Sequence, residues 1–240
     1  HKNFKEKVRL AICMGVCIKM TQNIEQAIVI GATGLVGLNL IQQLQQLPSC
    51  SKILAVVRKH NMQLDQYDKV QQLELDDFLL LNHEDVQGYS HAFSCLGTTL
   101  KKAGSKEQFY AIDYVVNAHF AELFVLTKTH YVLISALGAQ ANSKIFYNRV
   151  KGELEETIRG LDLHKVSILQ PSLLIGQRNE GRMLEDIFQK AYTKLSHFIP
   201  KHFKYKPVTA EQVAHTMVEA AQKQTEKFEI YDNLRIQKTK

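Results

Sequence analysis

From residue 26 onward the chain alternates short apolar runs with longer stretches in which apolar residues recur every three or four positions. The runs are QAIVI (26–30), KILAVV (52–57), VQQLEL (70–75), HAFSC (91–95), HYVLIS (130–135) and KVSILQ (165–170). They are short and lack a strict polar alternate, the pattern of strands covered on both faces. Between them LVGLNLIQQLQQL (35–47), residues 105–128 and NSKIFYNRVKGELEETIRG (142–160) show helical spacing, and the last stops at Gly160 in the manner of a helix C-terminus. Strand and helix in alternation predict an α/β fold with a doubly wound, mostly parallel sheet. After Pro171 the pattern changes. RMLEDIFQKAYTKLSHF (182–198) and AEQVAHTMVEAAQK (210–223) read as helices outside the alternation, predicting a small C-terminal helical cap over about residues 171–215. No linker rich in Gly, Ser or Pro and no internal repeat divides the chain, so residues 20–240 are read as one domain.

Composition narrows the class without naming a function. With 45% hydrophobic and 22% charged residues in 240, disordered and fibrous chains are excluded. Thirty Lys and Arg against 24 Asp and Glu leave a formal charge of +6, which favours anionic ligands such as phosphates. Cys13, Cys17, Cys50 and Cys95 form no C-x-x-C pair and no zinc-type cluster, so no metal and no disulfide framework are expected, and the chain reads as reduced and cytoplasmic. No apolar run approaches the roughly 20 residues of a membrane span. Basic residues 1–9 followed by LAICMGVCI imitate a signal peptide, but KMTQNIEQ follows without a small-residue cleavage site. Residues 1–19 are therefore expected to be a peripheral extension.

Chemistry enters first at GATGLVG, which stands between the first strand and the first helix. Gly31 suits a tight turn off the strand, Gly34 lets the backbone approach a pyrophosphate, and Gly37 allows close packing of helix on strand. Thr33, Leu35 and Val36 complete the loop, whose amides at a helix N-terminus face an anion. A dinucleotide is the expected ligand. About 20 residues further on, where an acidic residue would accept the ribose hydroxyls of NAD, stands Arg58. A guanidinium grips a 2′-phosphate bidentately and offers nothing specific to a bare hydroxyl, so NADP(H) is expected in preference to NAD(H). Asp76 or Asp77, at the end of the third strand, either borders the adenine or caps a helix.

The second constellation is Tyr147 and Lys151, four residues apart and so on one helix face. Ser135 ends the preceding strand at the edge where open α/β sheets bind ligands. A phenol, with an ordinary pKa of about 10, serves as an acid or base at neutral pH only where a neighbouring cation favours phenolate. Lys151 would supply that charge, Ser135 would hydrogen-bond the substrate oxygen, and Tyr147 would donate the proton as hydride arrives. The alternative is an ordinary amphipathic helix with a serine nearby.

GATGLVG, FSCLGTTLKKAGSKEQFYAIDY (93–114), LISALGA with FYNRVKGELE, LQPSLLIGQR (169–178) and KPVTAEQVA (206–214) together make the chain resemble an atypical short-chain dehydrogenase/reductase. Within that group it is most similar to the branch of the Tat-interacting protein and its bacterial relatives. The resemblance runs from about residue 24 to the C-terminus and implies a Rossmann-like single domain. It also implies NADPH held by the glycine loop, Arg58, the turn at Leu96, Gly97 and Thr98, and Pro171, with Ser135, Tyr147 and Lys151 as the catalytic set. G-x-x-G-x-x-G is the spacing that extended and atypical members carry. Gln170 stands where those members commonly have arginine. The implied activity is reduction of a small carbonyl compound, with Ser172, Leu173 and Leu174 walling an apolar pocket. The competing reading is an NADPH-binding regulatory protein with little turnover. Lysines and aromatics interleave in KHFKYK (201–206) as in nucleic-acid stacking platforms, but six residues are too few for a groove, and a basic loop or lid is expected instead. Neither nucleic acid nor membrane is an expected partner, and the chain is expected to be a monomer or homodimer.

Overall fold

The computed structural model describes residues 22–175 and 203–239. The helix predicted over 182–198 and the extension at 1–19 lie outside the described residues. Seven parallel strands form the main sheet in the order β3-β2-β1-β4-β5-β6-β9: β1 (Gln26–Ile30), β2 (Lys52–Val57), β3 (Val70–Glu74), β4 (His91–Ser94), β5 (His130–Ile134), β6 (Lys165–Gln170) and β9 (Phe228–Asp232). A second, two-stranded parallel sheet pairs β7 (Leu174–Ile175) with β8 (Val208–Thr209).

Residues of the central strands feed two separate cores in alternation, which is why those strands do not read as half polar, whereas the edge strands β3 and β9 do. Ala27, Val29, Ile53, Ala55, Phe93, Val132 and Leu169 join the face covered by α1 (Leu35–Gln46) and α6 (Ala210–Lys223). Ile28, Ile30, Leu54, Val56, Tyr131, Leu133 and Ile168 join the opposite face, covered by α4 (Val116–Glu122) and α5 (Phe146–Gly160). Each fully buried Ile, Leu or Phe contributes roughly 1.5–3 kcal/mol. Helix α1 buries Val36, Leu40, Ile41 and Leu44, a single stripe, and ends before Pro48. The helix over 210–223 is as expected in extent, held at its start by a capping box between Thr209 and Gln212. Its place differs from the sequence expectation: it continues the alternation, packing on α1 and leading from the β6 side of the sheet to a seventh strand, β9. The short helix α7 (Asn233–Lys238) follows. The stretch with helical spacing over 105–128 is continuously helical from α3 (Lys106–Tyr110) through a π-helical turn over Ala111–Val115 to the end of α4 at Glu122, and a short helix, α2 (Leu100–Ala103), precedes it.

A polar row crosses the N-terminal edge of the sheet, away from the glycine turn. Register sets His91, His130 and Lys165 side by side at the first positions of β4, β5 and β6. Lys165 Nζ donates to the Gln224 carbonyl at 3.0 Å, and His91 Nε2 meets the Ala221 carbonyl at 3.3 Å. Ser167 Oγ gives its hydrogen to Gln224 Oε1, so His130 Nε2, 2.8 Å from Ser167 Oγ, is the donor of a neutral imidazole. Burial pushes the His91 imidazole down to about 4, against the bond to the Ala221 carbonyl, and pushes His130 down as well, helped by His91 and Lys165. Unfolded histidines bind protons below about 6.5 while these folded ones do not, so their contribution is present above pH 6.5 and is lost as pH falls toward 4. The expected slope is up to about 1.4 kcal/mol per pH unit for each histidine. Thermal unfolding followed from pH 7.5 to 4 checks this: the midpoint should begin to fall near pH 6.5, above the carboxylate range, and a flat profile down to pH 5 contradicts it.

Candidate active site

The sheet order reverses between β1 and β4, and the glycine turn lies at that break, at the C-terminal ends of the strands. Gly31 has φ +71°, and a Cβ there would stand 2.5 Å from the Cys95 carbonyl carbon, because the Cys95 amide already bonds the Ile30 carbonyl and draws the two turns together. At Gly37 a Cβ would fall 2.2 Å from the Gly31 carbonyl oxygen. These two glycines are required by packing. Gly34 is not, since its nearest neighbour would be the Gly31 oxygen at 3.2 Å. It N-caps α1 without a side-chain bond, and α1 has no acidic residue in its first turn. The first-turn amides, including those of Leu35 and Val36, thus lack a side-chain acceptor beside an exposed Thr33, an arrangement that fits a dinucleotide phosphate.

Arg58 follows β2, exposed with Lys59 and His60; register pairs Ile30 with Val56, which places Arg58 on the same edge as the glycine turn. His60 is engaged elsewhere, with Asp65 at 2.9 Å. Of the two acids beyond β3, Asp77 caps the turn Phe78–Leu80 through the Leu79 amide at 2.9 Å, and Asp76 stands exposed beside it.

The turn after β4 connects the glycine loop to α5. Gly31 touches Leu96, and Gly97 lies within about 3.5 Å, measured from a built Cβ, of both Asp113 and Lys151. Lys151 Nζ pairs with Asp113 Oδ1 at 2.7 Å, with both side chains buried, and Asp113 Oδ2 accepts the Thr98 amide at 2.8 Å. A π-helical turn carries Asp113, and Asn117 Nδ2 donates to the Ile112 and Asp113 carbonyls at 3.0 and 3.3 Å while Asn117 Oδ1 accepts from Ser94 Oγ.

Ser135 follows β5 and extends its pairing with β6: its amide donates to the Leu169 carbonyl, and the Leu137 amide donates to the carbonyl of buried Pro171, each at 2.8 Å. Its hydroxyl is buried and donates to Glu155 Oε1. Gln170 Nε2 donates to both oxygens of Glu155 at 3.0 and 2.9 Å. Tyr147 is half-buried, its ring tilted against Phe109 at 5.6 Å. Helix α5 approaches this loop closely because residue 152 is glycine; a Cβ there would lie 2.1 Å from the Gln140 carbonyl carbon. Sequence reasoning placed Ser135, Tyr147 and Lys151 at one edge, and the structure puts them on adjoining elements there. It does not join them: among the described residues, Ser135 bonds Glu155, Lys151 pairs with Asp113, and the Tyr147 hydroxyl bonds neither. Asp113, Asn117 and Glu155 were missed. Tyr147, Lys151 and Glu155 are spaced i, i+4, i+8, and that regularity was the available signal.

Beyond Pro171, Ser172 Oγ donates to the Lys206 carbonyl at 2.6 Å, and Asn233 Nδ2 donates to the Lys204 and Lys206 carbonyls at 2.8 Å. The described part of the basic stretch is thus tied by its backbone to the end of the sheet, with Phe203 and Tyr205 5.4 Å apart. Among the described residues no helix is long and apolar enough to cross a membrane.

Solved structures with the same architecture include the UDP-glucuronic acid 4-epimerase of Bacillus cereus in complex with NAD (TM-score 0.63, 12% identity, 86% of this chain and 78% of that one). The PhqB reductase domain of Penicillium fellutanum aligns with TM-score 0.61 and 15% identity over 92% of this chain and 71% of its own. At such identities the likeness carries the fold, and sheet order and glycine turn together define a Rossmann-like α/β protein. No family profile matches the chain. Curated sequences place it more narrowly. Protein FMP52-1, mitochondrial, of Scheffersomyces stipitis is 32% identical over 203 residues, 84% of this chain and 90% of that protein. Protein FMP52, mitochondrial, of Debaryomyces hansenii is 33% identical over 200 residues, 81% and 87% of the two chains. The chain belongs to the FMP52 family. The relatives' names also overturn the cytoplasmic expectation, since they describe mitochondrial proteins. Cysteine spacing separates reducing from oxidising surroundings and carries no address within the cell.

Proposed function

We propose that this protein is an NADPH-dependent oxidoreductase that reduces a small carbonyl compound, and that it works in mitochondria as its relatives' names indicate. Within the superfamily we assign it to the branch resembling the Tat-interacting protein, on the stretches at 93–114 and 169–178. The observation that carries the reading is the continuity of the edge: Gly31 against Leu96, Gly97 against Lys151, and the turn from Ser135 to Leu137 bonded to Leu169 and Pro171. The amides of Leu35, Val36 and Gly37 would hold the pyrophosphate, Arg58 the 2′-phosphate, and Leu96, Gly97, Thr98 and Pro171 would line the nicotinamide side. When bound there, the cofactor would supply the hydride for the carbonyl carbon. Tyr147 gives its phenolic proton to the carbonyl oxygen and regains one from solvent, Ser135 orients that oxygen, and Lys151, one turn further along the same helix, reaches the Gly97 turn. NADPH oxidation across aldehydes, ketones and quinones tests the activity.

A second reading has its own observation. With Lys151 tied to Asp113 and the Tyr147 hydroxyl bonded to neither partner, the site also suits a protein that binds NADPH and turns it over little. Cofactor preference is tested independently of turnover. Arg58→Asp is expected to weaken NADPH on the order of ten- to a hundredfold while NADH changes little, because a carboxylate there repels the 2′-phosphate and accepts the ribose hydroxyls. Equal losses for both cofactors, read by fluorescence titration, would remove Arg58 from the phosphate site.

A further inference from the structure

Glu155 is a buried carboxylate that the Ser-Tyr-Lys reading does not use. It sits at the centre of a closed set of bonds, with Ser135 Oγ donating to Oε1 and Gln170 Nε2 donating to both oxygens. A hydroxyl has one hydrogen and two lone pairs. With that hydrogen spent on an ionised Glu155, Ser135 has only lone pairs for any other partner and can accept from a substrate hydroxyl but cannot donate to a substrate carbonyl. A proton on Glu155 reverses this. The carboxylic acid then donates to Ser135 Oγ, Gln170 still donates to the other oxygen, and the serine hydrogen is released.

We propose that Glu155 is a positioning residue whose protonation sets the Ser135 hydroxyl as donor or acceptor, so that one site favours carbonyl ligands when Glu155 is protonated and hydroxyl ligands when it is ionised. The inference rests on the placement of Ser135 at the substrate oxygen. The groups facing Glu155 are Ser135 beyond β5 and Gln170 on β6, both uncharged, with Lys151 and Arg159 on its own helix and Asp113 paired to Lys151. Burial pushes the Glu155 carboxyl above its ordinary value, and the bonds from Ser135 and Gln170 pull it the other way. Gln170 has the geometry this device needs. An amide supports either protonation state, whereas an arginine at that position would hold the carboxylate ionised.

Two measurements on the full chain test the proposal. In the first, the protein carries ¹³C-labelled glutamate and the carboxyl resonance lost in Glu155→Gln is followed through a pH titration. Ser135→Ala removes a donor to the carboxylate and is expected to move that titration up by about one pH unit, while Ser135→Thr, which keeps the hydroxyl, leaves it in place. An unmoved titration in Ser135→Ala overturns the proposal. In the second, NADPH-dependent carbonyl reduction is followed against pH. Wild-type rates should fall as Glu155 ionises, and Glu155→Gln, whose amide donates permanently to Ser135, should lose that limb. A limb that survives in Glu155→Gln equally overturns it. Wild-type protein that binds NADPH and turns over no carbonyl removes the enzyme reading alone, and the Ser135→Ala titration then decides the role of Glu155.

Discussion

Asp113→Ala is expected to destabilise the protein by about 3–5 kcal/mol, the loss typical of one member of a buried ion pair. The partner left behind is the Lys151 ammonium, whose side chain is 4% exposed and whose nearest anion is Asp113 at 2.7 Å. The Thr98 amide loses its acceptor as well. Most of that loss is the desolvation of an uncompensated charge, so it should be recovered when the charge goes too. Asp113→Leu with Lys151→Met should lie much closer to wild type than Asp113→Ala alone, because a buried pair exchanged for apolar side chains of similar volume is often neutral. Urea unfolding of wild type and the two variants checks this through their midpoints at constant slope. A loss under about 1 kcal/mol in Asp113→Ala would mean that water reaches Lys151. The pair also bears on the cofactor edge. It pins the Gly97–Thr98 turn to α5, so Asp113→Ala should weaken NADPH binding even at temperatures where the variant stays folded.

How much of this was legible in the sequence follows from what each element leans on. β1, β2 and β6 coincide with their apolar runs residue for residue because strands covered on both faces have no polar alternate to confuse the period. β9 escaped notice because it is an edge strand in which Tyr231 alone is fully buried, and FEIYD therefore shows no apolar run. The π-helical turn at Ala111–Val115 has no period of its own. Asn117, five residues beyond Ile112, ties its side chain to the Ile112 carbonyl of this turn, a bond that belongs to the folded state and not to local propensity. The glycine turn was read correctly as a turn between strand and helix, yet its sequence cannot say which glycine serves packing and which leaves space. Neighbours in the folded chain decide that, with the Cys95 backbone 2.5 Å from a Cβ at Gly31 and only the Gly31 oxygen, at 3.2 Å, near one at Gly34. The partners of Lys151 and Ser135 were hidden for the same reason. Asp113 is 38 residues from Lys151, and Glu155 is 20 from Ser135, so the partners of the ammonium and of the hydroxyl appear only when the helices are in place.

Tyr147→Phe should then separate chemistry from binding more sharply than any other single change. The ring rests half-buried against Phe109 with centroids 5.6 Å apart, and phenylalanine keeps that contact. The hydroxyl has no bond to Ser135 or Lys151 in the structure, so its removal leaves no buried donor or acceptor stranded. Stability should stay within about 0.5 kcal/mol of wild type, and NADPH affinity should be unchanged. Turnover, in contrast, should fall on the order of 10²- to 10⁴-fold, the contribution of one positioned acid-base group and equivalent to about 3–5 kcal/mol of barrier. The loss should appear in kcat with little change in KM, as for an interaction made in the transition state alone. Wild type and Tyr147→Phe compared on the carbonyl panel at matched cofactor saturation give the measurement. A variant as fast as wild type would make Tyr147 a packing residue. Tight NADPH binding without turnover in either protein would make the Lys151–Asp113 pair the resting arrangement of a cofactor-gated binding protein, and the search would move from substrates to partners.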